Sequence, residues 1–178
     1  MDFVTYLKFA HVLAAVLWVG GGFAMIFATT LMSRHASAQA QVAVVRATVL
    51  MAPRLFIPIS IFTLASGVAL LLLADWGWQP FTVLGLAGVV FTAGFGTFVL
   101  GPSCDRAVKL SDTHGAEATI PALRRIQRLA AIDYSVQFGI VFLMVVKPGW
   151  SDFGVLAGLA AVLVLAALAT LRPLPCLA

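Results

Sequence analysis

The sequence predicts an all-α integral membrane bundle of five transmembrane helices, formed as one domain over residues 1–178. Hydrophobic residues make up 62% of the chain and charged residues only 10%, whereas a soluble domain carries roughly 25% charged residues. The apolar residues are gathered into five stretches, and a helix needs about 20 such residues to cross the hydrocarbon core. Positively charged residues and tryptophans lie between the stretches, as expected at membrane interfaces.

Each span follows from its local composition. The first apolar run is much longer than the 7–15 residues typical of a signal peptide, so we expect it to be retained as a helix. The second contains Pro53 and Pro58 in its first half, and the third is rich in glycine, which favours close helix packing. Polar loops or tight turns separate them. The predicted spans are 3–32, 48–74, 80–100, 129–146 and 153–171.

A further helix is predicted on the membrane surface before the fourth span. Ile120, Leu123 and Ile126 recur every three residues, and arginines stand among them. This basic amphipathic pattern predicts a helix over 116–128 that runs directly into the fourth span. Anchoring of the topology and binding of anionic lipid both remain open as its role.

The distribution of positive charge predicts the orientation. Of the 11 lysines and arginines, only Lys8 and Lys147 lie on one side of the five spans. Because positive loops stay in the cytoplasm, we expect the N-terminus outside and the C-terminus inside a bacterial inner membrane. Trp76, Trp78 and Trp150 then lie at the outer interface. The net charge of +4 is explained by this topology, so we expect a lipid bilayer and no nucleic acid as partner.

His11 is the main candidate for a cofactor-binding or metal-binding residue. A titratable side chain at membrane depth is costly, and it usually has a function. Trp18 lies two turns further along the same face, and Met144 in the fourth span lies near the same height. Imidazole with thioether can ligate b-type haem or copper. A histidine bonded to a neighbouring helix and a methionine that fills the core are the alternatives.

A second pair of polar residues is predicted near the inner face. Arg54 in the second span and Asp133 in the fourth lie at similar heights, where each alone would be costly and together they can neutralise one another. Tyr134 and Gln137 add hydrogen-bonding groups nearby. We interpret the pair as an ion pair that joins the two helices, with a substrate or proton site as the alternative.

The first two spans resemble a known group of membrane proteins. Lys8-Phe9-Ala10-His11, then six residues, Trp18 and Gly20-Gly21, is similar to the first helix of haem-J-type protoporphyrinogen oxidases. The copper-resistance protein D family, and uncharacterised predicted integral membrane proteins related to both, begin similarly. Pro58, eight residues and Gly67 resemble the second helix of the group. The resemblance covers residues 1 to about 75 and implies b-type haem on His11.

Three functional classes follow from these observations. The first is a b-haem-binding protein with a redox role, and the second is a permease-like protein for copper or another small solute. The third is a non-enzymatic accessory subunit of a membrane complex, in which the fifth span, 153–171, faces a partner or a second copy of the chain. Motifs of nucleotide-binding and zinc enzymes such as the P-loop and HExxH are absent from the sequence, so whether the protein is an enzyme stays open.

Overall fold

The computed structural model describes residues 2–171, and within that range every regular element is helical. Seven α-helices are joined by short turns and by two π-helical segments. The elements are α1 (Phe3–His35), α2 (Ala38–Met51), a π-segment (Ala52–Phe56), α3 (Ile57–Leu73), α4 (Pro80–Phe95), a second π-segment (Gly96–Leu100), α5 (Gly101–His114), a 3₁₀ turn (Glu117–Thr119), α6 (Ile120–Val146) and α7 (Phe153–Leu171).

Five helical stretches are long and apolar enough to cross a membrane, which confirms the predicted fold class. The two π-segments continue the helices on either side of them, so α2 with α3, and α4 with α5, each form one span. The five spans are Phe3–His35, Ala38–Leu73, Pro80–His114, Glu117–Val146 and Phe153–Thr170.

The helices extend beyond the limits that the apolar runs predict. At 1.5 Å per residue, the 33 residues of α1 reach roughly 50 Å, while the hydrocarbon core is about 30 Å thick. The polar connector after α1 is already helical from Ala38, because Ser37 caps α2 by accepting a hydrogen bond from the N–H of Ala40. The segment predicted as a surface helix over 116–128 contains a 3₁₀ turn at Glu117–Thr119 and the first residues of α6.

Asp2 caps the start of α1, as Ser37 caps α2, but at the opposite end of the bundle. Asp2 accepts hydrogen bonds from the N–H and the hydroxyl of Thr5. Those two bonds favour the ionised carboxyl, and they hold the pKa of Asp2 below its usual value.

The helical extensions at the predicted cytoplasmic end form their own small core. We call it the inner-end cluster; its buried members are Ala38, Val42, Val45, Cys104, Ala107, Ala116 and Leu123. An ion pair of 2.6 Å between Arg46 and Asp112 also joins α2 to α5. Because both side chains of that pair are about half exposed, its net contribution is at most about 1 kcal/mol. Apolar burial therefore holds this end together.

At the other end of the bundle, which is predicted to lie outside, tryptophans and a turn make contact. Lys147 ends α6 in the left-handed conformation, and its Nζ lies 4.7 Å from the ring centre of Trp76. The indole N–H of Trp150 donates to the carbonyl of Trp78 at 3.0 Å. These contacts tie the turn before α4 to the turn before α7.

Glycines let α4 approach α6 closely, as predicted for the third span. A Cβ at Gly85 would lie 2.2 Å from Cε of Met144, and one at Gly88 would lie 2.7 Å from Cγ1 of Ile140. On another face of α6, Leu163 packs over Gly139. This contact places α7 at the edge of the bundle, where most of its surface faces outward.

Candidate functional site

His11 lies between α1 and α3 and is held by a hydrogen bond. Its Nδ1 lies 2.9 Å from Oγ of Ser66. Gly67 provides the space for the ring, because a Cβ at that position would lie only 3.1 Å from Cε1 of His11. The histidine of the first-span motif and the glycine of the second-span motif are therefore packing partners.

The contacts of the Ser66 hydroxyl, whose oxygen also lies 3.2 Å from the carbonyl of Thr63, favour one tautomer of His11. This hydroxyl carries one hydrogen, which it donates to the carbonyl of Phe62 at 2.6 Å. Its oxygen must then accept from His11, so Nδ1 carries the proton and Nε2 keeps its lone pair. An imidazole oriented in this way by its second nitrogen is competent to bind a metal or haem iron through Nε2.

Met144 and Trp18 take part in other contacts. The Met144 side chain fills the space over Gly85 on α4, so it serves the α4–α6 packing. Trp18 is only 7% exposed and faces a cavity that His11 does not line. Among residues 2–171, no group of three His, Cys, Asp or Glu side chains could hold a metal ion.

Arg54 and Asp133 are not paired, although the sequence analysis predicted an ion pair. Arg54 is exposed on the first π-segment, and its guanidinium donates to the carbonyl of Leu50 at 2.9 Å. Asp133 is only 4% exposed and accepts a hydrogen bond of 2.8 Å from the amide of Gln137. The two side chains point in different directions, one outward and one into the bundle.

A cavity of about 540 Å³ lies between the first four spans. Its walls are mainly apolar, and its lining runs from mid-span residues such as Trp18 and Thr92 to Gln41 and Asp105 near the predicted cytoplasmic end. The volume falls within the range of roughly 300–1,000 Å³ that is typical of small-molecule sites.

Two buried acceptor atoms on this cavity's lining residues have no hydrogen-bond partner. They are Oδ1 of Asp133 and Oε1 of Gln137. Both residues line the cavity, and Gln137 is only 2% exposed. A buried polar atom without a partner costs about 1–3 kcal/mol, so a pair of them beside a cavity indicates a ligand site.

Both π-segments border the same cavity. Pro53 and Phe56 from the first segment, and Gly96 and Leu100 from the second, contribute to its lining. A π-helical turn interrupts the regular bonding of an α-helix, and such turns occur frequently at functional sites. Their convergence on one cavity is a second, independent mark of function.

The sequence analysis names Asp133 and Gln137 but predicts neither the cavity nor their unpartnered oxygens. The i, i+4 spacing of Asp133 and Gln137 in an apolar span is a signal that could have identified the pair, because such residues are neighbours on one helix face. The cavity itself depends on how four spans pack, and no local pattern specifies it.

A family profile described as a predicted integral membrane protein matches residues 5–148. The match spans α1 to α6 and stops before α7. No curated protein and no solved structure shows a significant match to the chain.

Proposed function

The chain belongs to the DUF2269 family of predicted integral membrane proteins, and we propose that it binds a small amphipathic solute within the membrane as a permease-like protein. One observation carries the proposal: Asp133 Oδ1 and Gln137 Oε1 are buried acceptors without donors on residues that line the 540 Å³ cavity. A ligand with an apolar body would fill the cavity, and its hydrogen-bond donor would satisfy these atoms.

The position of the cavity along the spans favours access from one side. Its lining reaches the predicted cytoplasmic ends through Gln41 and Asp105. Toward the other end, Leu70, Pro80 and Pro148 are each almost completely buried. We place the protein in a bacterial inner membrane with this cavity toward the cytoplasm, because the lysines and arginines cluster at that end.

Gln137→Met is expected to weaken binding of naphthylethanol about tenfold. This ligand has an apolar body and one hydroxyl donor. The substitution keeps the side-chain volume but removes the free acceptor together with the amide that donates to Asp133, so thermal unfolding of the variant accompanies the measurement. A net hydrogen bond of up to about 1.5 kcal/mol corresponds to this factor. Equilibrium dialysis of the purified protein in detergent, with empty micelles as the blank, measures it.

Thr92→Val is the matched control for this measurement. Thr92 also lines the cavity, but its hydroxyl already donates to the carbonyl of Val89 at 3.1 Å. The control variant is expected to bind naphthylethanol as the wild-type protein does. Equal affinities of wild type and Gln137→Met, or no binding by the wild type, would contradict the proposed function.

Binding of b-type haem through His11 is a second candidate function. The observation that favours it is the Ser66 hydrogen bond, which leaves the lone pair on Nε2. The resemblance of the first two spans to the haem-J and copper-resistance group points the same way. Haem supplies one-electron redox chemistry when bound. His11 would hold the haem iron through Nε2, whereas the Met144 side chain packs on Gly85 of α4.

The visible absorption spectrum of protein purified from haem-supplemented cells tests this candidate. A Soret band is expected in the wild type and should be lost in His11→Ala, because the axial nitrogen is removed. His114→Ala is the control, since His114 is exposed at the end of α5. A wild type without the band, or a band that survives in His11→Ala, would argue against haem on His11.

The accessory-subunit alternative would use α7 as its contact surface. This helix packs on α6 through Leu159 and Leu163, and most of its remaining side chains are exposed and apolar. A second copy or a membrane-complex partner could contact this surface, which lipid would otherwise cover. Co-purification with such a partner would distinguish this alternative from the first two.

A further inference from the structure

We infer that the cavity is selective for an organic cation, namely an amine with an apolar body. The inference rests on the proposed function and specifies the substrate class for the same cavity. It is based on the charge of the cavity wall, on the chemistry of its two free acceptors and on the aromatic residues that surround it.

The charge of the cavity wall is opposite to that of the chain. The chain carries 11 lysines and arginines against seven aspartates and glutamates. Among the residues that line the cavity, however, the charged ones are Asp133 and Asp105, and none is a lysine, arginine or histidine. A cleft lined by one sign of charge concentrates ligands of the other sign, which here favours a cation.

Among residues 2–171, no basic side chain forms an ion pair with Asp133. Arg54, the expected partner, is exposed and donates to Leu50. A buried carboxylate is costly unless it is paired and hydrogen-bonded, and Oδ1 of Asp133 has neither type of partner. A bound cation would supply the missing charge.

The two free atoms are both acceptors, and this selects the ligand's polar group. Gln137 uses its amide N–H to donate to Asp133, so its free atom is the carbonyl oxygen. An alkylammonium has three donors and no acceptor, and it can donate to both oxygens. A hydroxyl offers a single donor, while a carboxylate or a phosphate anion would bring no donor to the two acceptors.

The surroundings favour an organic cation over a metal ion. Hard metal ions take about six or more oxygen ligands, whereas the described residues that line the cavity carry two unpartnered buried oxygens. Trp18, Phe56 and Tyr134 are among the lining residues, and aromatic faces attract ammonium groups. An apolar amine would use these rings and the two acceptors together.

The test compares two probes that share one apolar body, naphthylethylammonium and naphthylethanol. Isothermal titration of the purified full-length protein in detergent is expected to give at least about tenfold tighter binding for the ammonium, because charge-assisted hydrogen bonds are roughly twice as strong. Asp133→Asn keeps the shape and removes the charge, so it should abolish the preference. Asp105→Asn should keep it, because Asp105 is exposed at the inner end of the cavity.

Each outcome has a separate meaning. Equal binding of the two probes to the wild type would overturn the cation inference and leave the proposed function standing, whereas binding of neither would overturn both. A preference that survives in Asp133→Asn would overturn the role of Asp133. If that variant does not fold, the double variant Asp133→Leu/Gln137→Leu carries the same test, because it leaves no unpaired polar side chain at these positions.

Discussion

Gly22→Ala is expected to destabilise the bundle by about 1–3 kcal/mol, the usual cost of overpacking a core. A Cβ at position 22 would lie 1.2 Å from the hydroxyl oxygen of Tyr134 and 2.5 Å from its Cζ. The aromatic ring is rigid, so it cannot yield as the end of a flexible side chain would. Either the ring must leave its place or α1 must move away from α6. Thermal unfolding of the detergent-purified protein measures the effect.

Gly20→Ala is the matched control for this substitution. A Cβ at Gly20 would meet no atom within 4 Å, and alanine favours a helix over glycine. The control should be as stable as the wild type or slightly more stable. Adding Tyr134→Ala to Gly22→Ala should restore part of the loss by opening the space. Equal stability of the two glycine variants would contradict the close contact between Gly22 of α1 and Tyr134 of α6.

The number and type of the spans could be predicted because hydropathy is a local property of the sequence. Their ends could not, since hydropathy marks the hydrocarbon core and not the end of the helix. Residues 38–47 illustrate the difference: they are too polar to count as membrane, yet they form α2 because Ser37 caps them. Hydropathy also misses the end of the third span, which continues as a helix beyond residue 100 to His114.

The site was predictable in its residues but not in its pairings. His11 and Asp133 attract attention because ionisable groups at membrane depth are rare. Height along a span is only one coordinate, however, and rotation about the helix axis decides which residues meet. Arg54 and Asp133, predicted at similar heights, face different ways, while Gly67 of the second span meets His11 of the first.

The cavity was the least predictable feature. It requires four spans to leave a space between them, and two π-segments lie on its border. Each π-segment shifts the residues that follow it around the helix axis, so the face that a periodic pattern predicts is no longer the face that points inward. Pro53 marks an irregularity in the sequence, but it does not specify a π-helical turn.

Asp133→Leu and Gln137→Leu are each expected to destabilise the ligand-free protein, and the double variant should be more stable than either. Asp133→Leu leaves the buried Gln137 amide without its acceptor, and Gln137→Leu leaves the Asp133 carboxyl without its only hydrogen bond. Leaving a buried polar group without its partner costs about 1–3 kcal/mol, and more where the stranded group is charged. Removing both groups leaves no buried polar side-chain atom unpaired at these positions, so much of the loss should be recovered.

A double-mutant cycle of thermal unfolding measures this coupling. Losses that simply add would contradict the pairing of Asp133 with Gln137. The double variant could match or exceed the wild type in stability and yet no longer prefer naphthylethylammonium over naphthylethanol. That result would mean that the wild-type pair serves ligand binding and lowers the stability of the ligand-free protein. Destabilised polar groups of this kind are expected at functional sites. A double variant that keeps the ammonium preference would instead make the pair a packing feature and move the cation site elsewhere.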